Sequence, residues 1–159
     1  MTDGEEIDPL ERLLAERACE RLITEFLRHL DLGNPGAVAE LFTPDGVWEY
    51  PQDDRLVRGR DALREYFRSR PADRLSLRMA TNILVTVESP DTASATSYFA
   101  TYRVDGFTGG IVPSRPPANV GHYADTFTRV DGRWLLARRV THVTFGGPTV
   151  RLDETSPAD

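Results

Sequence analysis

The apolar residues of this 159-residue chain change their period once, and that change limits the fold more than any other feature. Up to about residue 70 they recur every three or four positions, the spacing of amphipathic helices. Beyond about residue 77 they sit in long β-rich segments broken by turn residues. Helices followed by a meander of long strands mean an α+β fold, with the helices packed on one face of a curved sheet. A strongly bent sheet leaves a cavity at its open end, where a chain of this kind binds something.

The first helix is expected over residues 8–32, where Leu10, Leu13, Leu14, Ala18, Leu22, Phe26 and Leu30 share a face. Asp8, with Pro9 and Glu11 after it, forms its cap, and Gly33, Asn34 and Pro35 stop it. Short helices are expected over 36–42 and 60–70, with a turn at 43–46, a short strand at 47–50 and a polar loop at 52–59. Strands are expected over 77–88, 92–104, 120–130 and 133–145, and Asp131-Gly132 marks a two-residue hairpin. The connection 105–119 is either a functional lid or a plain hairpin tip. Residues 1–146 read as a single domain and 147–159 as a poorly ordered tail.

Composition removes several function classes. A net charge of −6 argues against nucleic acid, which demands clustered Lys and Arg. Arg58, Arg60, Arg64, Arg68, Arg70, Arg74 and Arg78 form the densest basic stretch, but Asp61, Glu65 and Asp73 interleave, the pattern of a solvated helix face. No run is apolar enough to span a bilayer, and the acidic start lacks the features of a signal peptide, so a cytoplasmic location is expected. All 19 basic residues are arginines, leaving no lysine for a Schiff base. The single cysteine, Cys19, reads as a packed helix residue, and His29, His122 and His142 lack metal-ligand spacing. Neither glycine-rich nucleotide fingerprint occurs. What remains is acid–base chemistry with no cofactor and no metal, or simple binding.

The segments FLRHLDLGN (26–34), AELFTPDGVW (39–48), GRDAL (59–63), RMATN (78–82), GHYADTF (121–127), DGRW (131–134) and RRV (138–140) carry a family resemblance. In this order they resemble the SnoaL-like branch of the nuclear transport factor 2 superfamily, over residues 10–145. The resemblance implies a cystatin-like cone, three N-terminal helices on a strongly curved, mostly antiparallel sheet that encloses a pocket. Relatives of this type include polyketide cyclases, scytalone and bile-acid dehydratases, ketosteroid isomerase and limonene epoxide hydrolase. Most relocate a proton in an apolar pocket without a cofactor, and one fold hosts many such activities.

In the dehydratase-like members an aspartate ending the first helix pairs with a histidine, assisted by a tyrosine one turn earlier. The resemblance puts Asp31 at the aspartate position, where it acts as base or orienter unless it merely caps the turn. It puts Met79 at the histidine position and Phe26 at the tyrosine position, and neither transfers a proton. Met79 is then either soft pocket lining or ordinary core. His122 is a substitute imidazole only if His122, Ala124 and Thr126 face the pocket; the larger Phe127 favours the set of Tyr123, Asp125 and Phe127 instead. Trp48, Tyr50, Tyr98 and Tyr102 occupy positions that line the cone in relatives, and Tyr98 or Tyr102 could steady an oxyanion. Arg139 either binds a substrate anion or buttresses Asp125. Arg103 and Asp105, on one strand face, resemble the epoxide-opening pair of limonene epoxide hydrolase.

Two functions follow from these residues. The first is a cofactor-free cyclase, isomerase or dehydratase acting on an apolar or aromatic, polyketide- or terpenoid-like molecule, with Asp31, Tyr102 and His122 as catalytic candidates. Phe26, Trp48, Tyr50, Met79, Tyr98, Asp125 and Arg139 would bind the substrate. The second is a binding or assembly protein that kept the cone and lost the dyad; epoxide opening is a lesser alternative. A homodimer through the outer sheet face is expected, because an exposed apolar sheet is otherwise a liability.

Overall fold

Asp8 opens the first helix as expected: its carboxylate accepts from the backbone N–H groups of Leu10 (3.0 Å) and Glu11 (3.2 Å). Helix α1 (Pro9–Asp31) buries Ala15, Cys19, Leu22, Ile23, Phe26, Leu27 and Leu30. Its first turns differ from expectation. Leu10, Leu13 and Leu14 are exposed, and the buried stripe begins at Ala15. Cys19 is fully buried, and burial, with Asp125 and Glu20, pushes its thiol up to about 12.

The computed structural model describes residues 6–152. After α1 come a 3-10 helix (Pro35–Leu41), strands β1 (Phe42–Tyr50) and β2 (Arg55–Arg58), and helix α2 (Arg60–Arg68). Four long strands follow, β3 (Leu75–Ser89), β4 (Thr92–Asp105), β5 (Asn119–Val130) and β6 (Arg133–Gly146), then a short β7 (Val150–Arg151). The sheet order is β2-β1-β6-β5-β4-β3, with β7 on β4; β1/β6 and β4/β7 are parallel and the other pairs antiparallel. Three helices packed on a strongly curled mixed sheet make the cystatin-like cone. No helix among the described residues is long and apolar enough to cross a membrane.

Three local readings change. The turn expected at 43–46 is instead an irregular stretch inside β1, where the register on β6 shifts between Phe42 and Val47. The polar loop 52–59 contains β2, which pairs with β1. Residues 147–152, expected as the start of a loose tail, are tied to the sheet: Val150 and Arg151 pair with β4, and Leu152 N–H donates to Asp105 O at 2.9 Å. The rest of the expected tail, 153–159, lies outside the described residues.

The curl has identifiable causes. In β3 the register breaks between Thr81 and Leu84, with Asn82 at φ 52°. Strand β6 carries two extra residues against β5, Thr144 between the partners of Val120 and Gly121 and Ala137 between those of Thr126 and Phe127. Each such irregularity bends its strand and increases the local twist. At Gly121 the strands approach so closely that a Cβ would stand 1.8 Å from the carbonyl oxygen of His142. The hairpin at Asp131-Gly132 has φ 50° and 77°, the double left-handed geometry its sequence called for.

Inside the cone a charged pair holds helix and sheet together. Arg139 donates from Nε and Nη2 to the two carboxylate oxygens of Asp125, at 2.8 and 2.7 Å, and both side chains are 0% exposed. The guanidinium lies 4.4 Å from the ring centre of Phe26 on α1 and 4.1 Å from that of Tyr123 on β5. Burial works against the charged guanidinium, but Asp125 outweighs it and holds Arg139 above its ordinary value.

Two stability outcomes follow. Arg139→Met strands the Asp125 carboxylate in the core and is expected to lower unfolding free energy by about 3–5 kcal/mol in urea titrations; adding Asp125→Leu should restore much of it. Gly121→Ala is expected to cost about 2–3 kcal/mol. A change below about 0.5 kcal/mol would mean that β5 has another way past His142.

Candidate functional site

The inner face of the cone is set by alternation. In β4, Phe99, Thr101 and Arg103 turn inward, and in β5 so does Tyr123. With Phe26 and Leu30 of α1, Trp48 and Tyr50 of β1, and Tyr66 and Phe67 of α2, they line a cavity of about 480 Å³. The aromatic part interlocks: Trp48 meets Tyr66 at 5.1 Å and Phe67 at 5.5 Å, and Phe67 meets Phe26 edge-on at 5.6 Å. Each such contact adds about 0.5–1.5 kcal/mol beyond its buried area, so this wall is preformed. The remainder of the lining is polar, with Arg55, Arg70, Arg74, Arg78 and Arg103 foremost.

Asp31 is the last residue of α1, where the helix meets β3. It accepts from Ser76 Oγ at 2.7 Å and from the backbone N–H of Arg78 at 2.6 Å, and its Oδ1 also takes Arg78 Nη1. The two side chains are 5% and 4% exposed. A buried pair of this kind holds only when its remaining lone pairs are satisfied, and Ser76 and the strand backbone do that here. Arg78 in turn reaches the cavity, while Asp31 stands behind it.

The residue of β3 opposite Asp31 is Arg78, not Met79. Met79, expected to line the pocket, is sent outward by strand alternation and is 48% exposed. Arg78 occupies the place that faces Asp31. The pairing is therefore carboxylate with guanidinium.

Of the other expected site residues, Phe26, Trp48 and Tyr50 do line the cavity. Tyr98 and Tyr102 do not: they are 56% and 37% exposed on the outer sheet face, because the inward set of β4 is the one containing Phe99. His122 is also turned outward, registered between Tyr98 and His142 and stacked on the His142 ring at 4.5 Å. Tyr123, Asp125 and Phe127 are the buried set of β5, as the size of Phe127 suggested. Asp125 and Arg139 sit behind the lining, bound to each other. Asp105 gives both oxygens to Arg74, Nε at 2.7 Å and Nη2 at 3.0 Å, so the Arg103–Asp105 pairing of the epoxide reading is occupied elsewhere.

Sequence reasoning missed Arg70 and Arg74, read as part of a solvated face, and passed over Tyr66, Asn119 and Thr141. No periodicity marks the first two, since both lie after the end of α2. Arg103 and Tyr123 were accessible, because each shares its strand's inward set with a large aromatic residue. Of the connection 105–119, only Asn119 lines the cavity.

A model of the SnoaL-like domain matches residues 11–140. No curated protein matches the chain. Among solved structures it is similar to a Mycobacterium tuberculosis protein of unknown function, at 24% identity and a TM-score of 0.72, covering 87% of this chain and 78% of that one. A candidate scytalone dehydratase from Novosphingobium aromaticivorans is 24% identical with a TM-score of 0.70, covering 94% and 100%. A hexachlorocyclohexane dehydrochlorinase from Novosphingobium barchaimii is 18% identical with a TM-score of 0.70, covering 89% and 94%. These likenesses establish the fold, and the domain match, spanning most of the chain and agreeing with its cone, shows that the chain belongs to the SnoaL-like family.

Proposed function

We propose that this protein is a cofactor-free small-molecule lyase or isomerase in which an Asp31–Arg78 pair takes the place of an aspartate–histidine dyad. The observation that carries the reading is the buried, three-bonded Asp31 carboxylate, which aims Arg78 at a preformed cavity. Two structural neighbours with elimination chemistry in their names, the dehydratase and the dehydrochlorinase, support the same class.

Arg78 suits one half of such a reaction. An elimination or double-bond shift develops negative charge on an enolate oxygen or a leaving group, and a fixed guanidinium in a water-poor site stabilises it. Asp31 holds the guanidinium in place before the charge appears, so no reorganisation is needed at that moment. The other half is proton removal. Two carboxylates stand near enough to serve: Asp31, behind Arg78, and Asp53, on the cavity lining with only a 3.7 Å ion pair to Arg55. No histidine lines the cavity among the described residues.

A second reading, a binding protein that kept the cone, is favoured by the same saturation of Asp31. Its oxygens already hold three donors, which suits an anchor better than a base.

The homodimer is proposed through the outer sheet face. Leu77, Met79, Leu84, Tyr98 and Tyr102 expose apolar surface there, around the His122–His142 stack.

Both proposals have direct tests. Against a panel of cyclic hydroxy-ketones and halogenated cyclic substrates, turnover without added cofactor should fall about 10²–10³-fold in Arg78→Met, with folding verified by urea titration. Loss in Asp53→Asn but not Asp31→Asn would name Asp53 as the base. Binding without turnover in the wild type would select the binding reading. For the dimer, light scattering should give twice the mass of one chain, reduced to a single chain in a Tyr98→Glu variant; a monomeric wild type sinks it.

A further inference from the structure

The cavity carries more positive charge than the protein itself neutralises. Of its five arginines, Arg78 is matched by Asp31, Arg74 by both oxygens of Asp105, and Arg55 more loosely by Asp53. Arg70 and Arg103 have no carboxylate partner among the described residues. Arg103 Nε donates only to a neutral group, Thr149 Oγ1, at 2.8 Å. Arg70 Nη1 is buried without any hydrogen-bond partner. The carbonyl end of α2, just before Arg70, offers at most about half a charge in compensation.

Such an arrangement is costly to an empty protein. Burial, and then the guanidiniums of Arg78, Arg74 and Arg103, pull Arg70 down to about 9. Burial with Arg74 and Arg78 also lowers Arg103. Unpaired buried cations that repel one another in a cleft mark a place where an anion belongs. Two further lining groups, Asn119 Oδ1 and Thr141 Oγ1, are buried without partners, so polar capacity is left over beside the charge.

We propose that the cavity recognises an organic carboxylate, its head seated between Arg70 and Arg103 and its apolar or aromatic body against Phe26, Trp48, Phe67 and Phe99. This rests on reading the cone as a small-molecule site and names the substrate class of that site. A carboxylate matches the planar fork of a guanidinium through two parallel N–H donors. The aromatic wall accepts the part of the ligand that carries no charge. A hydroxyl on that body would answer the unpaired acceptor of Asn119. The apolar or aromatic ligand expected from the sequence thus gains an acidic head.

The test is calorimetric titration of the full chain at neutral pH with matched probes, naphthoate and naphthamide, which share a ring system and differ in charge. Naphthoate is expected to bind at least about tenfold more tightly, a difference of about 1.4 kcal/mol. Arg70→Met and Arg103→Met should each shrink that preference to below about threefold while leaving the amide's affinity in place. Arg17→Met, at an exposed arginine of α1, should keep it in full. Thermal melting gives a reading that needs no ligand: removing a buried charge that has no carboxylate partner should raise the Tm of Arg70→Met above the wild type. Equal binding of both probes would overturn the carboxylate proposal and leave the small-molecule cavity standing. Binding of neither, with an unchanged or lowered Tm in Arg70→Met, would overturn both.

Discussion

The Asp125–Arg139 pair is the contact on which the rest of the cone depends. It lies wholly out of water, with the guanidinium against Phe26 from the helix and Tyr123 from the sheet. A pair buried this deeply tolerates little displacement, because moving either partner leaves a charge unpaired. It therefore ties β5, β6 and α1 into one register, and every inward residue of those elements inherits its position. Phe26 and Tyr123 face the cavity on one side and the guanidinium on the other, so the same contact that braces the core also sets the cavity wall.

A second buried pair sits one layer closer to the cavity. Asp31 and Arg78 join the end of α1 to β3 much as Asp125 and Arg139 join neighbouring strands, but here the arginine reaches the cavity. One pair is sealed from the cavity, and the other puts its arginine on the lining. Around the second, further arginines gather from the segment after α2 and from β4, opposite a wall of interlocked aromatic rings. The cavity is thus two-sided, apolar on one wall and cationic on the other. That division is what the proposed elimination chemistry and the proposed acidic substrate both draw on.

Strand alternation divides the chemistry of the sheet just as sharply. Tyr98, Tyr102, His122 and Met79 have side chains suited to a site, and all of them lie on the outside. Their inward neighbours, Phe99, Thr101, Arg103, Tyr123 and Arg78, look less like a catalytic set when read in a row. A shift of one position exchanges the two sets entirely. The irregularities at Asn82 in β3 and at Ala137 and Thr144 in β6 change the phase of alternation within single strands, so that no one rule applies from end to end.

The sequence by itself determined the architecture: the change of apolar period, the Asp8 cap, the Asp131-Gly132 hairpin and the ordered family segments were enough to specify helices on a curled sheet. These are local signals, written within a few residues of where they act. It also put Asp31 at the end of the first helix, because a helix end is a local feature. The partner of Asp31 was not local. Whether Met79 or Arg78 faces it depends on the phase of β3 against α1, residues 45 and 47 positions away in the case of Ser76 and Arg78. The arginine cluster was least legible of all, because Arg70, Arg74 and Arg103 share no periodicity, and a charged residue reads as solvated until the fold encloses it. Only tertiary structure decided which charges were matched and which were left facing the cavity, since that balance is set by distances across the chain.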